Sequence, residues 1–241
     1  MALVDPIVQA DLSIEKRFFH GVDLNNDILV NNLRVSRGRL VTADLMGMTD
    51  PGIAATHRPI PEIPIEEIAE GMLTGNLLAP RSATYTIPAS ILKTGQEIVD
   101  GRGRPWPITD GRKARIVDTA AIEVAFEAGR RRFAPSAPSR MSCIWLAEGN
   151  EAGRNVIASM MRGARICSVR VSLCLGIKVA DAGWYDDYTS VPTESYIEKY
   201  WTGIEHPRHS LPEYLVEGVI EFTDEKDLED IMRNGRMFGP A

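Results

Sequence analysis

The chain is short of the features that assign a protein at a glance. No apolar run approaches the roughly 18–20 residues that span a bilayer. The opening MALVDPIVQADLSIEK holds acids where a secretory leader needs basic residues. A soluble protein of the bacterial or host cytosol is the expectation, with export by a route that leaves no classical signal still open. Basic residues are not in excess: 27 Lys and Arg face 33 Asp and Glu, a net charge of -6. That balance disfavours a protein that tracks the phosphates of a nucleic acid, while a local basic patch stays open. Cysteine is scarce. Cys143, Cys167 and Cys174 cannot all pair with one another and form no CxxC, so they read as small core residues of a reducing compartment. GxxxxGK followed by Ser or Thr, GxSxG, HExxH and a helix-opening GxGxxG are all absent, as are repeats, heptads and low-complexity tracts.

What is present is the composition of an ordinary globular protein, 44% hydrophobic and 25% charged over 241 residues, enough for one large domain or one domain with an extension. Along the chain, RFFHGVD reads as a strand and NNDILVNNLRVSRGRL as a short helix passing into a second strand. Residues 46–66 are rich in Pro, Gly and Thr and read as an extended connection. IEEIAEGMLTGNLL is a helix candidate that stops at a glycine, and TYTIPASIL is strand-like. DTAAIEVAFEAGRRRFA is the clearest helix, capped by Asp118 or Thr119, with Ile122, Phe126 and Phe133 near one face. RMSCIWLAE then reads as a buried strand, EAGRNVIASMMRG as an amphipathic helix, and ARICSVRVSLCLGIKVAD as a strand region with a candidate turn at Gly176. This order makes an α+β domain at residues 81–241, preceded by an N-terminal extension of uncertain structure at 1–80.

The richest stretch is SYIEKYWTGIEHPRHSLPEYLVEGVIEF, residues 195–222. Its end alternates: Glu213, Leu215, Glu217, Val219 and Glu221 fall on one face, Tyr214, Val216, Gly218, Ile220 and Phe222 on the other. Acids on one face of a strand usually only solubilise an edge. A carboxylate just after Pro212 is also well placed to face a cleft from a rigid support. His206 and His209 stand three apart in a loop with no evident partner ligands, so no metal site is expected. The GRGR at 101–104 offers glycines and arginines to an anion but follows no clear strand, and reads as a turn.

Three segments in order carry a resemblance. They are TYTIPASILKTGQEI, then APSRMSCIWLAE, then YIEKYWTG leading to LPEYLVEGVIEF. Together they resemble the ADP-ribosyltransferase superfamily, in particular the small toxin, effector and phage domains, over roughly residues 82–222. The fold this implies has split mixed β-sheets with flanking helices. The implied activity is transfer of ADP-ribose from NAD to a protein target, a nucleic-acid base being the less favoured acceptor. A catalytically inactive binding or inhibitory protein of the same fold is the alternative. The resemblance assigns Glu213 to the ribose and the catalytic step, with Arg140, Ser142, Trp145 and Tyr200 around NAD. Thr86 falls where the family's first strand often has Arg or His. His20 in FFHGVD offers a second first strand, which would start the domain near residue 16 and make residues 46–115 an insertion. No acid stands two residues before Glu213, which disfavours an arginine target. The chemistry is coherent, because breaking a nicotinamide–ribose bond passes through an oxocarbenium-like state that a carboxylate stabilises.

Overall fold

A computed structural model describes residues 13–50, 52, 57–70, 82–99, 105 and 107–235. The GRGR turn, and residues 71–78 of the helix candidate IEEIAEGMLTGNLL, lie outside them. The described residues form an α+β fold built on one five-stranded sheet. Its strands are β1 (Ile14–Val22), β2 (Arg39–Val41), β3 (Ile144–Glu148), β4 (Arg165–Asp181) and β5 (Pro212–Phe222). The helices used below are α1 (Asp27–Val35), α2 (Ala43–Thr49), α3 (Ile65–Glu70), α4 (Ile87–Lys93), α5 (Asp110–Phe133), α6 (Glu151–Met160), α7 (Ala182–Ser190), α8 (Glu194–Thr202) and α9 (Glu225–Asn234). No helix among the described residues is long and apolar enough to cross a membrane.

The sheet runs β2-β5-β3-β1-β4, and β4 also pairs with the far side of β5, so β5, β3, β1 and β4 close into a ring. Where the resemblance implies two mixed sheets, the described strands make one sheet in which every pairing is antiparallel. Closure depends on the length of β4. Its first residues pair with β1 (His20 opposite Cys167), and its later residues with β5 (Ala180 opposite Glu213). Gly218 makes the crossing possible: at φ +148° a Cβ there would lie 1.9 Å from the Leu173 carbonyl oxygen. β4 therefore runs through Gly176 with bulges and makes no hairpin there.

Two apolar layers cover the sheet. On one face Phe18, Val22, Leu146, Val169, Val216, Ile220 and Phe222 meet Val30 and Leu33 of α1 and Ile231 of α9. On the other, Leu215 and Ala180 meet Phe126 of α5, Trp184 of α7, and Ile197, Tyr200 and Trp201 of α8. All three cysteines are free, and burial pushes the Cys167 thiol up to about 12.

Several expectations change. TYTIPASIL is no strand: Ser82–Thr86 form a π-helical turn that leads into α4, with Pro88 in the first turn, where its fixed φ suits a helix. α5 starts well before Asp118, capped by Thr109, whose side chain accepts from Arg112 N at 3.3 Å. The 46–66 connection carries the end of α2, a short 3-10 turn at Ile60–Glu62 and the start of α3. β5 is no edge strand, having β4 on one side and β3 and β2 on the other. A boundary at residue 80 does not separate two folding units either, because β1 and β2 come from before it and belong to the same sheet.

Candidate functional site: a buried ion network and an open cleft

At the start of β5, Glu213 is buried, 1% exposed. Its Oε1 accepts from Arg140 Nη1 at 2.7 Å and from the Tyr200 hydroxyl. The Arg140 guanidinium also donates to Glu123 of α5 through Nε (3.2 Å) and Nη2 (3.3 Å), and the Tyr185 hydroxyl donates to Glu123 at 3.1 Å. Four rings enclose that cation, with centroids at 4.1 Å (Trp145), 4.4 Å (Tyr185), 4.9 Å (Tyr200) and 5.3 Å (Phe126). Burial opposes the charge on Arg140, but Glu123, Tyr200 and Glu213 more than offset it and hold the guanidinium charged. Burial likewise keeps the Tyr200 phenol protonated far above its usual range. One turn further along α5, Glu127 takes two bonds from Arg130 (2.8 and 2.9 Å) and one from Ser139 Oγ (2.8 Å). The Pro138-Ser139-Arg140 segment is thus tied to α5 at one site and to β5 at the other.

Among the residues singled out from the sequence, Glu213, Arg140, Tyr200 and Trp145 are brought together here. Thr86 is buried where its turn packs on α5, and comes from a helix start instead of a strand. His20 lies on the opposite face of the sheet, edge-on to Phe222 at 6.3 Å, with Nδ1 2.9 Å from the Trp145 carbonyl oxygen. Burial lowers the pKa of that half-buried ring, a shift the carbonyl partly offsets. Ser142 points elsewhere, donating to Asp44 Oδ2 at 2.8 Å.

Asp44 leads to an open cleft of about 320 Å³ bounded by α2, the 59–62 turn, the 135–139 loop, β4 at Leu175 and Gly176, and Glu217. Glu217 shares a face of β5 with Glu213. Its carboxylate accepts from Thr42 Oγ1 and from the backbone N–H of Leu45, so it caps α2 in place of a side chain from that helix itself. Burial raises its pKa to about 7; the Thr42 bond works against the rise and Asp44 adds to it. Asp44 also accepts from His57 Nε2 at 3.0 Å. The ring fits only because residue 47 is glycine, where a Cβ would stand 2.1 Å from His57 Cδ2. His57 Nδ1 is buried without a hydrogen-bond partner. A larger hollow of about 440 Å³ between the 92–98 and 105–113 stretches has, among the described residues, the exposed Glu97 and Lys113 as its titratable lining.

Residues 110–231, half of the chain, match a family described as a protein of unknown function, DUF2441. The chain belongs to that family. No curated protein matches the sequence. The DUF2441 region runs from the start of α5 into α9 and holds the whole buried network and Glu217, whereas Thr42, Asp44 and His57 on the facing wall lie before it.

Within the DUF2441 region, Asp187, His206 and His209 bring one ligand atom each within 4.8 Å of one another. The bonding argues for a structural pin. His206 Nδ1 accepts from the backbone N–H of Arg208 (3.3 Å) and His209 (3.0 Å), which puts the ring proton on Nε2, 3.1 Å from Asp187 Oδ2. A ring engaged at both nitrogens binds a metal only by losing that proton. Asp181 holds the same loop by accepting from Gly183 N, His206 N, Leu211 N and Ser210 Oγ. Although burial works the other way, these bonds hold its carboxyl below the usual range.

Glu123, Tyr185, Asp44 and His57 were not singled out by sequence. Glu123 and Glu127 had a signal: acids placed i, i+4 inside the apolar stripe of α5 need buried partners. Asp44 and His57 had none, because Glu217 meets α2 only through tertiary structure.

Proposed function

We propose that this DUF2441 protein is an NAD-dependent ADP-ribosyltransferase that works at the open cleft, with Glu217 as its carboxylate in place of Glu213. The observation that carries the reading is Glu217 itself, a glutamate beside Asp44 in the wall of a cleft, titrating near 7. Two carboxylates suit an oxocarbenium-like ribose, and a group titrating near neutrality suits proton transfer. In the step, the bond from ribose C1′ to the nicotinamide nitrogen breaks and its electron pair neutralises the pyridinium. The acceptor's lone pair closes on C1′, and the acceptor's proton passes to Glu217. The order of the PSR, YW and EYLV segments supports the assignment through the resemblance, and a protein side chain of the host or bacterial cytosol is the expected acceptor.

A second reading, a catalytically inactive binding or inhibitory protein, is favoured by one observation. Glu213, the residue the resemblance makes catalytic, is buried and bonded to Arg140 and Tyr200. Nicotinamide release from NAD by wild type, E217Q and E213Q decides between them, with lysate as acceptor. Release by wild type that falls about 100-fold or more in folded E217Q supports the enzyme. No release, and no shift of Tm by NAD, leaves the binding protein.

A further inference from the structure

The ADP-ribosyl reading uses Glu217 and Asp44 but leaves the cleft's excess of acid over base and its apolar rim without a role. The cleft lining holds three carboxylates, Asp44, Glu62 and Glu217, and among the described residues a single cation, Arg130. That cation is fully engaged: Glu127 takes Nε and Nη2, and the carbonyl oxygens of Pro135 and Ala137 take Nη1 at 2.9 and 3.1 Å. Arg130 is 2% exposed, so its charge is balanced behind the wall instead of being offered to the cavity. The rim is apolar. Met48 and Leu175 line it at 74% and 49% exposure, two large side chains that no core claims, with Pro59, Pro61 and Pro138 beside them. Among the described lining residues no cation is left over to pair with an anion, and a neutral apolar group would leave the carboxylates desolvated without a counter-charge.

We infer that this cleft binds an alkyl cation, a guanidinium or ammonium head on an apolar stem, the head taken by Glu217 and Asp44 and the stem by Met48, Leu175 and the prolines. Both carboxylates are held by neighbours that leave lone pairs over: Asp44 by Ser142 and His57, Glu217 by Thr42 and Leu45. They are fixed in place before the ligand arrives, which lowers the cost of binding. The head group has two natural sources, an Arg or Lys side chain of a polypeptide and a free amine.

The inference uses the same cleft as the proposed function but stands without any cleavage of NAD. The test is calorimetric titration of the whole chain with n-butylguanidinium and with n-butylurea, its neutral near-isostere. The charged ligand is expected to bind about tenfold tighter or better, and E217Q to cut that preference to about threefold or less. The amide oxygen introduced by E217Q can still accept from Thr42 and Leu45, so the variant keeps its fold. E62Q, at an exposed position, is expected to reduce the preference by about twofold. Equal affinities in wild type, or no binding of either compound at about 10 mM, would overturn the inference. Agmatine and a capped Gly-Arg-Gly peptide then separate the sources: tighter binding of the peptide points to a polypeptide partner, tighter agmatine to a free amine. Cation binding without nicotinamide release removes the transferase and keeps the cation site, and release without cation preference does the reverse.

Discussion

Three glutamates stand on one face of β5, and each meets a different solvent. Glu213 is buried against Arg140 and Tyr200, Glu217 sits in a cleft wall against Thr42 with a carboxyl raised to about 7, and Glu221 lies near the surface between Arg39 and Arg170. Hydrogen bonds from Arg170, ahead of the opposing effect of burial, hold the Glu221 carboxyl below its usual range. Residue type and strand face are the same, so environment alone separates a buried ion, a carboxyl raised to about 7 in a cleft wall, and a surface ion pair. The comparison also corrects a habit of reading. The first acid after the proline is placed best for chemistry by sequence, yet it is the one least open to a ligand.

The comparison breaks most sharply at Arg140. R140M leaves Glu123 and Glu213 buried without their shared cation, and is expected to cost about 3–5 kcal/mol in urea unfolding at pH 7. Adding E123Q and E213Q to that variant should recover a large part of the loss, because the penalty comes from uncompensated charge and not from the side chain's volume. Undiminished stability of R140M alone would mean that the network does not hold the start of β5.

Much of this strand was legible, and the reasons are local. The alternation from Glu213 to Phe222 follows from the pleat, and α5 is announced by its apolar stripe, so both elements were visible in residue order. The resemblance of PSR, YW and EYLV to a known pattern assigned Arg140, Glu213 and Tyr200 to one site around NAD, and their bonding to one another was not legible. Depth was not legible. Glu213 is buried because β5 is flanked on both sides, and its neighbours include β2, brought in from 175 residues away by contacts such as Thr42 to Glu217. The same long reach hid the cleft, whose facing wall precedes α5. Thr86 was misplaced for a local reason: β-branched residues around Tyr85 look like a strand, while Pro88 was better read as the start of a helix.

The next effect tests Glu217 through pH. Its carboxyl rises from 4.5 when unfolded to about 7 when folded, so between those values the folded chain keeps a proton that the unfolded chain has released. Stability therefore falls as pH rises through this window and levels off above about 7. The expected loss is on the order of 3 kcal/mol. E217Q removes the titration, so the variant should gain by roughly that amount relative to wild type when urea unfolding is compared at pH 5 and pH 8. A constant difference between the two proteins across that range would place the Glu217 carboxyl in an ordinary, solvated environment and withdraw the reason for preferring it to Glu213.

The smallest effect belongs to Glu221, and its smallness is the point. Both of its partners are well exposed, Arg39 at 64% and Arg170 at 62% of their side chains, so water and salt screen the attraction. A depressed carboxyl contributes stability above its unfolded value and loses it as pH falls through the folded one. After discounting for solvent, that contribution is about 0.5 kcal/mol. E221Q should therefore lower stability at pH 7 by about that much, and less in about 0.5 M salt. A cost matching that of R140M would show that the position along β5, and not burial, decides what a glutamate on this face contributes.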